Sequence, residues 1–342
     1  MATRSRFVPL AGVFDRRALV AAALLLQVAA FALAYLAGRP TWYAYFLIAS
    51  AAVAAYVFDG SRFAVAMATV GSILVVALGM PLLLFVARQT PGLVLEKALD
   101  PSVHRVLYLG VYGPLIAAVG SLLFGVPLAY FLARGFPGQQ FVESLVDLPL
   151  VVPHSVAGIL ILFGFGSGGA FPRISVLGTM LGMVLAMMFV AAPYAVNTTR
   201  EAFEAIDDRL VYASRIHGAS QWQTFRRVTA PLAVRGMVTG GVLAWARAVS
   251  EFGAVAVVAY STQFFYPPKL TEARIAFDGI VPSIEGASAT AQHAPVFVYN
   301  TYLQGGLEES GAVAFLLLAV SAIIFLIVRY LTSDATTTGG VV

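Results

Sequence analysis

The feature that most constrains this chain is a series of eight long apolar runs, each close to the length of a membrane-spanning helix. A span needs about 20 consecutive, mostly apolar residues. Only 11% of the 342 residues are charged and 60% are hydrophobic, whereas soluble domains carry about a quarter charged residues. The sequence therefore predicts an all-α integral membrane protein with about eight spans. The runs are Ala18–Ala37, Thr41–Phe58, Phe63–Ala87, Val106–Ala133, Leu148–Gly166, Ile174–Val196, Gly236–Tyr260 and Ala312–Leu331.

Residue types that support common catalytic and metal sites are absent or scattered. There is no cysteine, which excludes a disulfide framework and thiolate chemistry. The four histidines are far apart in the sequence and form no short ligand pair. Neither lysine, Lys97 or Lys269, stands in the Gly-Lys-Ser/Thr context of a phosphate-binding loop. We therefore expect no enzyme activity, no metal and no cofactor in this chain, and no nucleic-acid partner.

The distribution of basic residues predicts the orientation of the chain. If the N-terminus is cytoplasmic, the inside segments hold thirteen lysines and arginines and the outside segments hold seven. Cytoplasmic loops are enriched in these residues. The count therefore places both termini and residues 197–235 in the cytoplasm of a cell whose plasma membrane the chain crosses.

Residues 197–235 form the main polar and basic interruption of the apolar sequence, which returns to apolar residues from Gly236. Thr198 and Glu201 have capping-box spacing, and a stripe at helical spacing predicts one amphipathic helix from about residue 202 to 217. Gly218 is predicted to end that helix in a left-handed conformation. Ser220 with Gln223 is predicted to cap a second helix, which Pro231 would limit. The residues alone also allow a basic loop lying on anionic lipid.

The segment YASRIHGASQWQTFRRVTAPLAVRGMVTGG resembles the "EAA" loop of ABC-transporter permease subunits. The matching positions are Ala213, Gly218, Ala219, Phe225, Val228 and Pro231. Tyr212 stands where the family has its glutamate and Ser214 where it has its second alanine, so a salt bridge through that glutamate has no counterpart here. Two further blocks, LPLVVPHSVAGILILFGFG and WARAVSEFGAVAVVAY, are similar to molybdate, tungstate and sulfate permeases, most closely to the archaeal-type molybdate/tungstate permease.

This resemblance, which covers roughly Val106 to Leu331, implies the transmembrane domain of a type I ABC importer with a six-helix core. The two apolar runs upstream of it, residues 18–58, are interpreted as an accessory N-terminal hairpin. The expected domains are a cytoplasmic N-terminus (1–17), an accessory two-helix hairpin (18–62), the permease domain (63–331) and a cytoplasmic tail (332–342). The expected cargo is a tetrahedral oxyanion, molybdate or tungstate. The alternatives are a sulfate/thiosulfate ABC permease or, in a different class, a secondary transporter.

The resemblance also implies partners. ATP and Mg²⁺ are expected on separate cytoplasmic ABC ATPase subunits, and an extracytoplasmic oxyanion-binding protein is expected to deliver the cargo to a homodimer of this chain in membrane lipid. The coupling loop would contact the ATPase as a helix in a groove. Its expected residues are Phe203, Ile206, Leu210, Tyr212, Ala213, Arg215, Gly218, Ala219 and Phe225.

Two apolar runs contain features typical of a transport path. Prolines and glycines in Leu148–Gly166 indicate a broken or kinked helix, which either lines a cavity or is merely structural. Arg247 and Glu251 lie four residues apart and can pair within a span; a gate or hinge fits this pair better than a binding site, and a structural tie at the end of the helix is the alternative. The path or gate residues predicted from these runs are Pro149, Pro153, His154, Ser155, Arg247 and Glu251.

The outside segment from Ser261 to Gly311 is longer than the resemblance leads us to expect. We expect it to provide a surface for the external binding protein, or to be a tolerated insertion.

Overall fold

The structure is a computed structural model, and it describes residues 16–171, 173–174, 176–267, 274–276, 283–285 and 287–334. The predicted N-terminal segment, most of the predicted tail and part of the long outside loop lie outside the described residues. The chain divides into two compact units, Met1–Arg88 and Gln89–Val342.

The first unit contains three helices: α1 (Arg16–Leu36), α2 (Thr41–Phe58) and α3 (Arg62–Ala87). The α1–α2 turn passes through Gly38 in the left-handed region, with φ of 69°. Phe31 on α1 packs edge to face against Tyr43 on α2, with ring centroids 5.3 Å apart. Helix α3, which was predicted to open the permease domain, lies in this unit together with the predicted hairpin.

The second unit is also mainly helical. Its helices are α4 (Pro91–Leu99), α5 (Pro101–Leu132), α6 (Gln139–Val151), α7 (His154–Phe165), α8 (Met180–Glu204), α9 (Asp208–Ile216), α10 (Gln221–Thr224), α11 (Ala230–Val249), α12 (Gly253–Val258) and α13 (Ala294–Asp334). Strand β1 (Thr262–Phe265) pairs antiparallel with β4 (Ser288–Ala291), and β2 (Arg274–Ala276) pairs antiparallel with β3 (Ser283–Glu285).

The prediction of a multi-span helical protein is confirmed, but the predicted count of eight spans is not. Within the described residues, six helical stretches are long and apolar enough to cross a membrane. They are Thr41–Phe58, Arg62–Ala87, Pro101–Leu132, Met180–Glu204, Gln221–Val249 and Ala294–Ile327. The predicted span Ala18–Ala37 corresponds to α1, a helix of 21 residues. The predicted span Leu148–Gly166 appears as a shorter apolar helix, His154–Phe165, because Pro153 divides its apolar run between α6 and α7.

The predicted boundaries of four other spans also shift. Helix α5 begins at Pro101 rather than at Val106, and α8 covers Met180–Glu204 rather than Ile174–Val196. The run Gly236–Tyr260 is divided between α11 and α12. Helix α13 begins eighteen residues before the predicted span, at Ala294, and is kinked at Gly306, where φ is 76°. A run of apolar residues shows which part of the chain contacts lipid or the protein core. The ends of a helix are determined instead by capping residues and prolines.

The core of the second unit forms where α5, α8 and α11 pack together. Buried side chains at this contact are small or flexible, including Ala117, Met183, Met187 and Ala244. A Cβ on Gly240 of α11 would lie 3.0 Å from the carbonyl oxygen of Ala195 on α8. Helices with small contact residues can approach closely without a solvent-driven hydrophobic force. Gly236, where a Cβ would collide with the Cβ of Ala202, and Gly240 therefore allow α11 to pack closely on α8.

Candidate functional site

The predicted turn at Gly218 is present and its hydrogen bonding is complete. Gly218 has φ of 85°. Its N–H donates to the carbonyl of Arg215 at 3.0 Å, and the N–H of Ala219 donates to the carbonyl of Ser214 at 3.2 Å. This pair of bonds is a Schellman motif, which satisfies carbonyls that the end of α9 leaves free. The conformation favours glycine because an L side chain is strained there.

The second helix begins with the predicted capping box. The Ser220 hydroxyl accepts from the N–H of Gln223 at 3.2 Å, and the Gln223 side chain accepts from the N–H of Ser220 at 2.8 Å. We name residues 208–224 the Gly218 corner. Within it, α9 and α10 meet with both helix ends satisfied, so its shape is fixed by local bonds.

The predicted stop of this second helix at Pro231 is wrong. The chain stays helical from Gln221 to Val249, passing through a π turn at Phe225–Thr229 in which the N–H of Ala230 donates to the carbonyl of Phe225. Proline lacks an N–H and cannot continue the ordinary ladder. The wider turn just before Pro231 accommodates the proline without ending the helix.

The prediction of one amphipathic helix over residues 202–217 is also wrong. Helix α8 continues to Glu204, and α9 starts anew at Asp208 because the Asp207 carboxylate caps it by accepting from the N–H of Arg209 at 2.8 Å. Thr198 lies inside α8, so it caps no helix end. The stripe is therefore divided between two helices that face different surroundings.

An aromatic cluster attaches the Gly218 corner to the rest of the unit. The ring of Tyr130 on α5 packs edge to face against Phe203 at 5.6 Å and against Phe225 at 5.0 Å. Trp222 stacks on Phe225 at 5.7 Å. Phe203 is 6% exposed, and Ile206 packs against the same core. Phe203 and Ile206 therefore contact the chain itself in this structure.

Other predicted coupling residues present their side chains at the surface. Leu210 and Tyr212 on α9 are exposed, as are two residues that were not predicted, Ile216 on α9 and Trp222 on α10. Ala213 and Arg215 are exposed as well, and Ala219 and Phe225 are half-buried. Four large apolar side chains in one short, otherwise polar segment are a surface that a protein partner would bury.

Polar contacts that the sequence reasoning missed link α6 to α8. The Arg200 guanidinium bonds the Glu143 carboxylate at 2.6 Å and the Glu204 carboxylate at 2.7 Å. Asn197 donates to Asp147 at 2.7 Å. The sequence contains a signal for these contacts, because each helix carries two polar residues at helical spacing. These are Glu143 with Asp147 on α6 and Asn197 with Arg200 on α8.

The apolar run that carries Pro149 and Pro153 is broken between α6 and α7. Pro149 is buried in α6, while Pro153 is exposed as the N-cap residue of α7, which begins at His154. Ser155 is exposed beside it. Helix α7 then packs tightly on α12, since a Cβ on Gly158 would lie 2.8 Å from the carbonyl oxygen of Ala254.

A second break faces the first one, and three ionisable side chains meet there. Arg247 Nη2 bonds the Glu251 carboxylate at 2.9 Å and lies 3.0 Å from both ring nitrogens of His154. The other Glu251 oxygen accepts from the N–H of Ala254 at 2.9 Å. We name His154, Arg247 and Glu251 the Arg247 cluster. The predicted pairing of Arg247 with Glu251 is present, and His154 is the member that the sequence did not reveal.

His154 completes the contacts within the Arg247 cluster. Its Nδ1 also lies 3.5 Å from Glu251 Oε2, so each of the three side chains lies near the other two. Among the described residues, no group of three or more His, Asp or Glu side chains is arranged to hold a metal ion. The guanidinium, the carboxylate and the imidazole can act through charge and hydrogen bonds.

Long apolar helices, two facing helix breaks with ionisable groups, and an exposed apolar corner define a membrane-embedded transport subunit. The profile of the family described as "Binding-protein-dependent transport system inner membrane component" matches residues 121–335. The chain belongs to this family, the permease subunits of ABC importers. Such a subunit transports without an ATPase site of its own, because the ATPase is a separate subunit, and it needs no cofactor itself.

Two individual proteins with named cargoes are similar to this chain. The chain is 35% identical over 271 residues to the molybdate/tungstate transport system permease protein WtpB of Pyrococcus furiosus, covering 78% of this chain and 94% of that protein. It is 36% identical over 187 residues to the sulfate transport system permease protein CysW of Escherichia coli, covering 52% and 64%.

The fold has solved counterparts. A chain of a bacterial ABC transporter involved in the import of the acidic polysaccharide alginate superposes with a TM-score of 0.57 at 17% identity, covering 80% of this chain and 95% of that one. At this identity the likeness shows the fold, which is that of the type I importer transmembrane domain.

Proposed function

We propose that this chain is the membrane permease subunit of an ATP-driven importer for a tetrahedral oxyanion, molybdate or tungstate. The observation that carries the proposal is the match to relatives named as molybdate/tungstate permeases over more than three quarters of the chain. Sulfate or thiosulfate is the second candidate, favoured by the shorter match to a sulfate permease. All of these cargoes present oxygens of the same tetrahedral geometry.

The Gly218 corner is the proposed contact with a cytoplasmic ATPase, which binds ATP and Mg²⁺. Its support is physical: a rigid, fully hydrogen-bonded turn presents Leu210, Tyr212 and Ile216 to the outside. Apolar anchors on a short helix suit a groove on a partner protein. Phe203, Ile206 and Phe225 join the corner to α5 and α8, because all three pack into one buried cluster with residues of those helices. Closure of two ATPase subunits would move the joined helices as a unit.

The proposed assembly is a homodimer of this chain with two ATPase subunits and an extracytoplasmic oxyanion-binding protein. Both termini and the Gly218 corner are placed in the cytoplasm, on the strength of the basic-residue count. Pro149, Pro153, Ser155 and the Arg247 cluster are the proposed path or gate. Two helix breaks in this region support this role, because they bring non-helical backbone groups and charged side chains together. Within a membrane, such groups are tolerated only where they contact protein or water.

The absence of cysteine allows a direct test of the orientation. Single cysteines at Arg209 and at Gln263, both exposed, can be introduced into an otherwise thiol-free chain. A membrane-impermeant maleimide added to intact cells is expected to label Gln263→Cys and to spare Arg209→Cys until the membrane is opened. The reverse pattern would contradict the proposal.

The transport activity is tested in proteoliposomes that contain this chain with or without its ATPase and binding protein. Uptake of molybdate or tungstate is expected only with all components and ATP, and excess sulfate is expected to compete weakly. Uptake in the absence of the ATPase would indicate a secondary transporter and would refute the proposal. Strong competition by sulfate would reassign the cargo within the same mechanism.

A further inference from the structure

The exposure of the three side chains in the Arg247 cluster follows a gradient. The His154 side chain is 50% exposed, that of Arg247 is 18% exposed and that of Glu251 is 1% exposed. A ligand that approaches from the open side therefore meets the imidazole and the guanidinium first. The carboxylate lies behind them, with one oxygen bonded to Arg247 and the other to the N–H of Ala254.

The open side of this cluster is suited to water or protein rather than lipid. Arg247 lies eleven residues into the apolar run that begins at Gly236, which corresponds to about 17 Å of helix. Ionisable side chains at such depth face a bundle interior or a water-filled cavity, because contact with hydrocarbon is costly. Ser155, which is also exposed, adds a hydroxyl to the same region.

The chemistry of this exposed group matches an oxyanion. A guanidinium presents donors in a planar fork that fits two oxygens of one anion. In the described arrangement one arm of this fork, Nη2, is shared between Glu251 and His154, and the other, Nη1, bonds only the Ser250 hydroxyl, at 3.3 Å. An arriving oxyanion can accept from the guanidinium and from an imidazole N–H of His154, and can then compete with Glu251 for Nη2.

We propose that Arg247 and His154 form a transient oxyanion subsite inside the permease, and that Glu251 is a resident competitor that holds Arg247 when the subsite is empty. This inference rests on the proposed oxyanion importer function. Glu251 offsets much of the guanidinium charge, so the anion is held weakly and can leave. A carboxylate beside an anion path is therefore useful, because it lowers the affinity of the subsite and allows the anion to be released.

The test measures anion binding to the permease–ATPase complex in lipid nanodiscs without the external binding protein. Calorimetric titrations with sodium molybdate, sodium tungstate and sodium sulfate compare the wild type with Glu251→Gln, which keeps the hydrogen-bonding shape and removes the competing charge. The double variant Arg247→Gln/Glu251→Gln removes the cation without leaving a buried carboxylate unpaired. The matched control is Lys97→Gln/Glu309→Gln, which removes another ion pair of 3.0 Å from the chain.

Glu251→Gln is expected to bind the anion about tenfold more tightly than the wild type and to transport it more slowly, because release becomes limiting. The double variant is expected to bind about ten- to a hundredfold more weakly than Glu251→Gln, as for the loss of a charge-assisted bond. His154→Ala in the Glu251→Gln background should weaken binding severalfold. The control pair should leave affinity unchanged.

Equal affinity in the wild type and Glu251→Gln, or equal affinity in Glu251→Gln and the double variant, would overturn the subsite. ATP-dependent uptake by the wild type separates the two claims. Normal uptake together with unaltered binding in the variants refutes the subsite alone. A wild-type complex that hydrolyses ATP and imports none of the three anions refutes the proposed function instead.

Discussion

Replacing Gly218 by valine tests whether the shape of the Gly218 corner is needed for coupling. Gly218 has φ of 85°, and a Cβ added there meets no heavy atom within 4 Å. The effect of the substitution is therefore backbone strain without a steric clash. An L residue in the left-handed region costs about 1–2 kcal/mol, and a β-branched residue is a genuine outlier there.

The variant chain has two ways to respond. It can keep the corner and carry the strain, or it can release the turn and lose the Schellman bonds from Gly218 and Ala219, each contributing about 1 kcal/mol. Since about 1.4 kcal/mol is a factor of ten in an equilibrium, the ratio of intact to released corner falls roughly tenfold relative to the wild type. The ratio of intact to released corner in Gly218→Asn should lie between those of the wild type and Gly218→Val, because asparagine tolerates this conformation.

The assay is oxyanion uptake and ATP hydrolysis in proteoliposomes that contain the complete importer. We expect Gly218→Val to reduce uptake per ATP hydrolysed, by up to about tenfold, while the amount of chain in the membrane stays the same. The matched control is Gly38→Val, which has φ of 69° and open space around its Cβ but lies in the first unit; its uptake should be normal. Normal uptake by Gly218→Val would refute the reasoning, and an equal loss in Gly38→Val would indicate a general folding defect.

Further substitutions test the packing around the site. Phe203→Ala should lower the free energy of unfolding by about 3–5 kcal/mol, seen as a lower thermal midpoint in detergent, because the ring is buried in the aromatic cluster. Tyr212→Ala should leave the midpoint almost unchanged and lower ATP-coupled uptake, since this ring is 66% exposed. Gly158→Ala should reduce the yield of folded protein, because its Cβ would lie 2.8 Å from a backbone oxygen, whereas Gly164→Ala, with no atom within 4 Å, should be tolerated. Ser220→Ala should weaken the start of α10 by about 1 kcal/mol, measured as faster amide exchange there.

Each of these expectations has an opposing result. An unchanged midpoint in Phe203→Ala would remove the aromatic cluster as the attachment of the corner. Normal uptake in Tyr212→Ala would remove that ring from the partner contact. Equal yields for the two glycine variants would contradict the close packing of α7 on α12, and unaltered exchange in Ser220→Ala would mean that the capping box adds nothing to α10.

Local turn chemistry made part of the site predictable. Gly218 as a left-handed helix end and Ser220 with Gln223 as a capping box follow from bonds between residues three to five positions apart, so sequence spacing suffices. The same holds for Arg247 and Glu251, which are four residues apart on one helix. The overall helical membrane fold was predictable for another reason, since its signal is summed over long apolar runs.

The errors arose where one pattern fits two structures. A stripe that continues from Phe203 to His217 fits one long helix or two short ones, and the deciding contact is the Asp207 cap between them. Pro231 usually limits a helix, yet a π turn absorbs it here. The contact of His154 with Arg247 joins residues 93 positions apart, and a single sequence contains no local signal for such a pair.

The chain is helical without a break from Gln221 to Val249, so the Gly218 corner and the Arg247 cluster lie at opposite ends of one helical segment. Its 29 residues extend over about 43 Å at the usual helical rise. A tilt of about 5° at one end then displaces the other by about 4 Å. That displacement exceeds the length of every hydrogen bond that Arg247 makes. Under the proposed function, a small angular change imposed by the ATPase at the Gly218 corner is therefore enough to exchange the bonding partners of Arg247.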